Sequence, residues 1–267
     1  MIPLVNFSFL YNSATQMFNN HNLEKLVNEL ISEFENSKEL GIVFSIQSQE
    51  ELKDKKIIDS FKQDFETIKF KIKEMKNLNC LIDIYLILQI NIETQQFRDI
   101  EITTIRNIKQ QCDLLMIYSY SNNMLEQIIS KKVAHMIVNV FSQKLVNRYD
   151  FIHHFNSGIN HVLCSEMSQN SMLLGVDISE FNTVSSLKQS KYFSSCIQNS
   201  KLATKAKVPQ MVFKLINSKE DIRSSREIES IQKALFKAQP FQILQQKQCI
   251  EEFLKKQRKI KQGEYIE

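Results

Sequence analysis

Residues Leu114–Tyr118 read LLMIY, and residues His135–Phe141 read HMIVNVF. Between these two runs, apolar side chains recur at helical spacing on one face, at Met124, Leu125, Ile128, Ile129 and Val133. Two short apolar strands joined by an amphipathic helix form a strand–helix–strand unit whose strands run parallel. Nearly continuous apolar composition is typical of strands that are buried on both faces. This stretch therefore predicts a parallel sheet with helices packed against it.

The same alternation of short apolar runs and helical patterns extends over the whole chain. The predicted strands are Leu4–Phe9, Ile42–Ile46, Cys80–Ile90, Leu114–Tyr118, His135–Phe141, Leu173–Ile178 and Gln210–Ile216. About seven strands, each followed by a helix, favour a TIM-like α/β barrel, with an open doubly wound sheet as the alternative. We predict a barrel domain over residues 1–240, and a basic C-terminal helix and tail over residues 241–267 that packs on the barrel.

Composition excludes several classes of site. The chain of 267 residues has only four glycines, and no two of them lie within six residues of each other. A Gly-rich phosphate loop, a dinucleotide-binding fingerprint and a nucleophile elbow each need closely spaced glycines, so none of these is present. The five cysteines are scattered and never form a CxxC pair, which indicates reduced thiols in an intracellular protein. The longest apolar stretch is too short to span a bilayer, and we expect a soluble protein.

Charge is distributed unevenly along the chain. Residues 201–267 contain 15 Lys and Arg against eight Asp and Glu, whereas residues 1–200 contain 19 against 22. The net charge of +4 therefore combines a slightly acidic first part with a strongly basic end. Such asymmetry is typical of a chain that faces a polyanion, although a solvated basic helix would produce the same count.

Two segments of the second half carry a family resemblance. The first is SGINHVL at Ser157–Leu163, followed after a helix by LGVDI at Leu174–Ile178. The second is KVP at Lys207–Pro209, followed by DIRSSREI at Asp221–Ile228. In this order and spacing they resemble the thirty-kilodalton protein subunit of ribonuclease P, which eukaryotes share with ribonuclease MRP. That family has a Gly-Ile-Asn/Asp-His-Val-Leu helix start and a Val-Pro strand that leads to a Leu-Arg-Ser-Pro-Arg-Asp-Ile helix start.

Three departures from the family pattern mark a divergent copy. Ser225 stands where the family prefers proline, and FKLI at Phe213–Ile216 replaces a small, Ser-rich strand end. Gly175-Val176-Asp177 replaces the family's Val-Ala-Glu. These changes affect the surroundings of Arg223.

The resemblance implies a barrel related to PHP-type phosphoesterases that serves as a non-catalytic RNA-binding subunit. The family's complex removes 5′ leaders from precursor tRNA, and the RNA subunit performs the chemistry with its own metal ions. The implied partners are ribonuclease P or MRP RNA, precursor tRNA and a small ferredoxin-like protein subunit. No cofactor is implied for this chain, and a eukaryotic member would be nuclear or nucleolar.

Arg223 and Arg226 are the first candidate RNA contacts. They lie three residues apart at a loop-to-helix junction, so both guanidinium groups can face the same phosphate oxygens. Lys214, at the end of the preceding predicted strand, extends the same patch. The alternative is that the arginines pair with neighbouring carboxylates on the surface. The resemblance favours RNA contact.

His161 and the C-terminal helix supply the remaining candidates. His161 follows Asn160 at a predicted helix start, where an imidazole can contact phosphate or pack the helix on the sheet. In the tail, Lys255, Arg258 and Lys259 are predicted to share a basic helix face. This face is either only solvated or also in contact with RNA phosphates.

A metal-dependent phosphoesterase is the alternative function. His153, His154 and His161 could supply ligands, together with Asp or Glu. PHP enzymes need a His-x-His pair after the first strand, and the chain has no such pair. We therefore expect no catalytic residues and no metal site, and we expect His135 to be a core histidine.

Overall fold

The computed structural model describes residues 6–11, 39–46, 49–74, 83–92, 102–119, 122–140, 157–179, 186–215, 225–236 and 240–263. The strands are β1 (Asn6–Tyr11), β2 (Glu39–Ile46), β3 (Asp83–Ile92), β4 (Leu114–Ser119), β5 (Met136–Val138), β6 (Leu173–Asp177) and β7 (Gln210–Phe213). The helices are α1 (Gln49–Lys53), α2 (Lys55–Glu74), α3 (Ile102–Lys109), α4 (Asn122–Ser130), α5 (His161–Gln169), α6 (Ser186–Lys205), α7 (Ser225–Phe236) and α8 (Pro240–Lys261).

The strands form one parallel sheet in sequence order, from β1 to β7. The sheet is curled, which is shown by the approach of its first and last strands: Cα atoms of β1 and β7 come within 8 Å of each other. The described residues include no ladder between these two strands. The predicted α/β fold with a TIM-like sheet is thus confirmed in its general form, as a curled parallel sheet with surrounding helices.

Helices α2 to α6 cover the outer face of the curl. Strand residues that alternate along the sheet, such as Leu86, Leu88 and Ile117, pack here against buried side chains of these helices. The helix residues are Ile58, Phe61, Phe65, Ile105, Ile108, Leu125, Ile128, Ile129, Leu163, Cys164, Met167, Tyr192, Cys196 and Ala203. This is the amphipathic packing that the helical spacing predicted.

Helix α8 covers the inner face. Its Ile250 and Leu254 are buried against the alternate set of strand side chains, which includes Tyr85 and Ile87. Burial of each such aliphatic side chain contributes roughly 1.5–3 kcal/mol. The inner layer is tight at Gly175, where an added Cβ would lie 2.8 Å from the Met136 sulfur. A parallel sheet needs both faces covered, and α8 supplies the second cover.

Two strands are shorter than predicted. The predicted strand over His135–Phe141 is observed only over Met136–Val138, because Asn139 has a φ of 48° and leaves the extended conformation. The strand predicted over Gln210–Ile216 ends at Phe213. Apolar runs continue past both ends because the following residues are buried although they are not in the ladder.

Side chains complete the ladders just before β4 and β5. The amide of Leu86 donates to the carboxylate of Asp113 at 2.7 Å, and the amide of Leu115 donates to Nδ1 of His135 at 2.9 Å. Each of these two residues also pairs through its own amide, with the carbonyl of Leu86 or Leu115. His135 is therefore the satisfied core histidine that the sequence predicted.

Helices α4, α5 and α6 end in the same way. A residue with positive φ lies just after each helix. The amide of the residue that follows it donates to the carbonyl of the residue five positions earlier. This is the Schellman pattern, whose left-handed residue is most often glycine. In this glycine-poor chain the left-handed residues are Lys132, Ser171 and Lys207, with φ of 54°, 52° and 60°.

The left-handed lysine after α6 predicts a stabilising substitution. Lys207 is exposed, and a side chain in this conformation costs roughly 1–2 kcal/mol. Lys207→Gly removes that strain. It also raises the conformational entropy of the unfolded chain, which lowers the free energy of unfolding by about 0.5–1 kcal/mol. We expect a net gain of about 0.5–1 kcal/mol in the free energy of unfolding, measured by urea denaturation. As a control, Lys201→Gly at an exposed interior position of α6 should destabilise by about 1 kcal/mol. Equal losses of unfolding free energy in both variants would show that Lys207 is not strained.

Burial of His135 predicts a pH-dependent stability. Burial, and secondarily the charge of Lys109, lower the pKa of His135 to about 3, against an opposing hydrogen bond from Gln257. The unfolded chain, with a pKa of about 6.5, therefore binds a proton that the folded protein excludes, and stability falls as pH drops below about 6.5. Between pH 7 and pH 5 this contribution is about 2 kcal/mol.

The variant His135→Gln should show a correspondingly smaller loss of unfolding free energy between pH 7 and pH 5 in urea titrations. His161→Gln, at an exposed histidine, is the matched control and should retain the loss of the parent protein. An identical pH dependence in the parent and in His135→Gln would refute the assignment.

Candidate nucleic-acid interface

A buried polar network surrounds Asp177 where the carboxyl ends of the parallel strands lie. We call this side of the sheet the strand-end edge, and the opposite side, with the amino ends of the strands, the strand-start edge. One carboxylate oxygen, Oδ2, accepts hydrogen bonds from the hydroxyls of Tyr118 at 3.2 Å and Ser179 at 2.7 Å. The other, Oδ1, accepts from the amide of Ser179 at 3.0 Å. Burial raises the pKa of Asp177, and the hydrogen bonds from Ser179, Leu215 and Tyr118 oppose that shift. Asp177 stands where the family that the sequence resembles has Glu, and its carboxylate is hydrogen-bonded by neighbouring residues of its own chain.

Asn139 joins the ends of β5 and β6 at the same edge. Its side chain accepts from the amide of Asp177 at 2.8 Å and donates to the carbonyl of Asp177 at 3.2 Å. The side chain thereby takes the place of a strand residue after β5 has ended. The positive φ of Asn139 is a conformation that Asn adopts more readily than most residues. The network therefore fixes the strand ends from which the following loops leave.

Three of the predicted RNA contacts lie at this strand-end edge. His161 is the exposed first residue of α5, which Asn160 caps by accepting the amide of Leu163 at 2.9 Å. Lys214 follows β7 and is only 7% exposed. Arg226 is the second residue of α7. Its side chain, and the whole of Arg223, lie outside the described residues, so the arginine pair stays a prediction.

The other three predicted contacts lie on α8, toward the strand-start edge. Lys255 and Lys259 are exposed, but Arg258 turns toward β3. Its guanidinium donates to the Asp83 carboxylate at 2.8 Å and to the Ile84 carbonyl at 2.7 Å. It also lies over the Tyr85 ring, 4.2 Å from the centroid. Arg258 therefore anchors α8 to the start of β3 and does not share the exposed face of the two lysines.

The predicted contacts are thus divided between two opposite edges of the sheet. A helix that follows a parallel strand begins at the strand-end edge and returns to the strand-start edge. The starts of α5 and α7 are therefore at one edge. The end of α8 is at the other edge, because Arg258 contacts the start of β3. The described residues therefore do not place all of the predicted contacts on one continuous surface.

The structure adds a basic cluster that the sequence did not reveal. Side chains near the ends of α3 and α4 meet the last turns of α8 at the strand-start edge, around a cavity of about 850 Å³. The basic residues that line this cavity are Arg106, Lys109, Lys131, Lys132, Lys256 and Lys261. In the sequence, the cluster is indicated only by basic residues near predicted helix ends, where the helix dipole favours cations. That pattern does not predict which helix ends lie next to each other.

The described cysteines act as packing groups or lie on the surface. Burial raises the pKa of Cys112 to about 12, of Cys164 to about 11 and of Cys196 to about 12, so these thiols stay protonated at neutral pH. Cys249 is exposed, and all four are free thiols. Cys80 lies outside the described residues.

The metal alternative gains no support from the described residues. They contain no group of three or more His, Cys, Asp or Glu side chains that could hold a metal ion. His153 and His154 lie outside them, so this alternative rests on the sequence as before. Within the described part of the chain, no helix combines the length and the hydropathy needed to cross a membrane.

Comparison with known proteins gives a likeness in fold. No protein-family model and no curated protein matches the chain. Among solved structures, a chain of dihydropteroate synthase from Xanthomonas albilineans aligns with a TM-score of 0.41 at 10% identity, covering 90% of this chain and 94% of that chain. A chain of a methanol:cobalamin methyltransferase complex from Methanosarcina barkeri aligns with a TM-score of 0.40 at 9% identity, over 78% and 50% of the two chains. Likenesses at this level are too weak to inform function.

A stronger likeness is to a chain in a cryo-EM structure of archaeal ribonuclease P with mature tRNA. The TM-score is 0.66 at 15% identity, and the alignment covers 94% of this chain and 91% of that chain. The alignment spans nearly all of both chains, so it concerns the whole architecture and not a shared sheet fragment. The likeness shows that the chain shares its fold with a component of archaeal ribonuclease P.

Proposed function

We propose that this protein is a non-catalytic, RNA-binding subunit of ribonuclease P, or of the related ribonuclease MRP. In that complex the RNA subunit would remove the 5′ leader from precursor tRNA, and this chain would bind and shape the RNA. The observation that carries the proposal is the likeness in fold to the archaeal ribonuclease P chain over almost the full length of both.

The positions of the resemblance-bearing segments support this proposal. SGINHVL contains the Asn160 cap and the start of α5, and LGVDI contains most of β6. KVP immediately precedes β7, and DIRSSREI leads into α7. Each segment that resembles the family therefore lies at a junction between a strand and a helix, where family motifs have a structural reason to persist.

The chemistry at the strand-end edge is consistent with a binding role. Asp177 is only 2% exposed, and its carboxylate accepts hydrogen bonds from hydroxyl and amide donors of its own chain. A buried, internally bonded carboxylate organises the loops around it, whereas a metal ligand or general base must present its oxygens to an incoming group. We assign Asp177 a structural role at the strand ends.

The finer parts of the proposal concern partners and place. The partners would be ribonuclease P or MRP RNA, precursor tRNA in the holoenzyme and a small ferredoxin-like subunit. A eukaryotic protein would act in the nucleus or nucleolus. The complete fold would be a barrel of about seven strands, with β1 and β7 closing the curl. The affinity for RNA should fall steeply with salt, because phosphate contacts release bound counterions.

The arginine pair before and within α7 gives the first functional test. The double variant Arg223→Ala with Arg226→Ala should weaken binding to the RNA subunit of ribonuclease P about tenfold or more, because two charge-assisted contacts are lost. Precursor tRNA cleavage by the reconstituted holoenzyme should fall in parallel at limiting protein. Binding is measured by filter retention at several salt concentrations.

The matched control is Lys201→Ala with Lys205→Ala, which removes the same charge from exposed positions of α6. The control should change binding by no more than about twofold, as expected for charges without a phosphate partner. Circular dichroism verifies that both variants are folded. Unchanged binding and cleavage in the arginine variant would exclude this pair from the RNA contact.

A further inference from the structure

The strongest unassigned feature is the cavity at the strand-start edge. Three helix ends form its wall, from α3, α4 and α5, and the last three turns of α8 form the opposite side. Its floor includes Ala134 and His135, just before β5. The volume of about 850 Å³ lies within the usual range for ligand sites. None of the residues that the sequence singled out for RNA contact lines this cavity.

The charge of the cavity identifies the class of ligand. Six basic side chains line the cavity, and no carboxylate is among its lining residues. Beside the cavity, Oδ1 of Asp113 accepts from Lys261 at 3.2 Å, while Oδ2 accepts from the amide of Leu86. This ion pair involves one of the six cations. A concave site with this balance suits a ligand with several closely spaced negative charges.

Backbone carbonyls hold two of the cations in position. Arg106 donates to the Lys131 carbonyl at 3.2 Å, and Lys109 donates to the Lys132 carbonyl at 2.7 Å. These carbonyls belong to the turn that closes α4, where the helix dipole attracts positive charge. A carbonyl orients a cation without cancelling its charge. The guanidinium of Arg106 has five N–H donors, and the carbonyl contact accounts for one of them.

The floor and the far wall make the cavity rigid. His135 is bonded to the start of β4, and its ring meets the edge of the Phe253 ring with centroids 5.8 Å apart. On the same helix, Arg258 fixes α8 to β3. The cationic side chains of α8 are therefore presented at a fixed distance from those of α3 and α4. Preorganised charges lose little freedom when a ligand binds.

We propose that this basic cavity binds clustered phosphate groups, and that the backbone of the RNA in the proposed complex supplies them. The inference rests on the proposed function for the identity of the ligand, but the anion site follows from the geometry alone. It assigns the strand-start edge as an RNA contact, on the opposite side of the sheet from Arg223 and Arg226. The RNA would then contact both edges, or two RNA segments would each contact one.

The test uses the full-length protein with Lys131→Gln and Lys256→Gln, from opposite sides of the cavity. Both lysines are exposed, so the variant should fold, and its unfolding midpoint in urea verifies this. The probe is a tRNA transcript, titrated by fluorescence anisotropy at several salt concentrations. We expect affinity to fall about tenfold or more, and the slope of log K against log salt to decrease by roughly 1.5, as for two lost phosphate contacts.

Lys201→Gln with Lys205→Gln is the matched control, since it removes the same charge from α6 outside the cavity. The control should keep the affinity within about twofold and leave the slope unchanged. An equal loss in the cavity and control variants would overturn the proposal, because it would show only a response to net charge. Unchanged binding by the cavity variant would overturn it as well.

A second probe separates the two sources of phosphate. Inorganic tripolyphosphate should compete with the tRNA transcript and raise the melting temperature of the parent protein but not of the cavity variant. If tripolyphosphate has this effect while RNA binding is identical in parent and variant, the cavity takes a free phosphate ligand and the RNA assignment is wrong. If the parent protein binds no RNA at all, the proposed function fails, and a cavity-dependent response to tripolyphosphate would still establish the anion site.

Discussion

A parallel sheet must be covered on both faces, and in this protein that requirement is met in two different ways. The outer face is covered by the helices that connect consecutive strands, as the topology dictates. The inner face is covered by α8, which comes last in the sequence and packs Ile250 and Leu254 against the strands. Arg258 fixes the end of α8 by contacting three consecutive residues at the start of β3. Without α8, the inner layer of strand side chains would face water.

The same requirement gives the two edges of the sheet different chemistry. At the strand-end edge, Asp177 and Asn139 form a closed network that fixes the origins of the loops. At the strand-start edge, α8 brings its basic last turns against the ends of α3 and α4, and the cations meet around the cavity. The placement of α8 therefore serves the core and, at the same time, completes the basic cavity at the strand-start edge.

Local periodicity predicted the elements well where one face is strongly apolar. The unit from β4 through α4 to β5 was predicted because its pattern changes from a continuous apolar run to helical spacing and back. The predicted end of β5 lay too far along the chain, because burial continues past Asn139. The backbone conformation of Asn139 ends the ladder. Sequence alone therefore locates elements more reliably than it locates their ends.

The site was harder to predict because it depends on which elements meet. Arg106, Lys131 and Lys256 are far apart in sequence, and each is an ordinary basic residue in a helix or in the turn that follows it. Their convergence follows from the parallel topology, which returns α3 and α4 to one edge, and from the position of α8 on the inner face. Arg258 was predicted as an RNA contact from its place in a basic helix, but its partners are on β3, a pairing that no local pattern contains.

We propose that this chain acts as part of a ribonuclease P-type ribonucleoprotein. The most direct measurement is to purify the tagged protein from its own cells under low-salt conditions and to sequence the RNA that accompanies it. We expect strong enrichment of a single structured RNA of the ribonuclease P or MRP type, which high salt would dissociate. Recovery of the intact protein without any enriched RNA would contradict a role in such a complex.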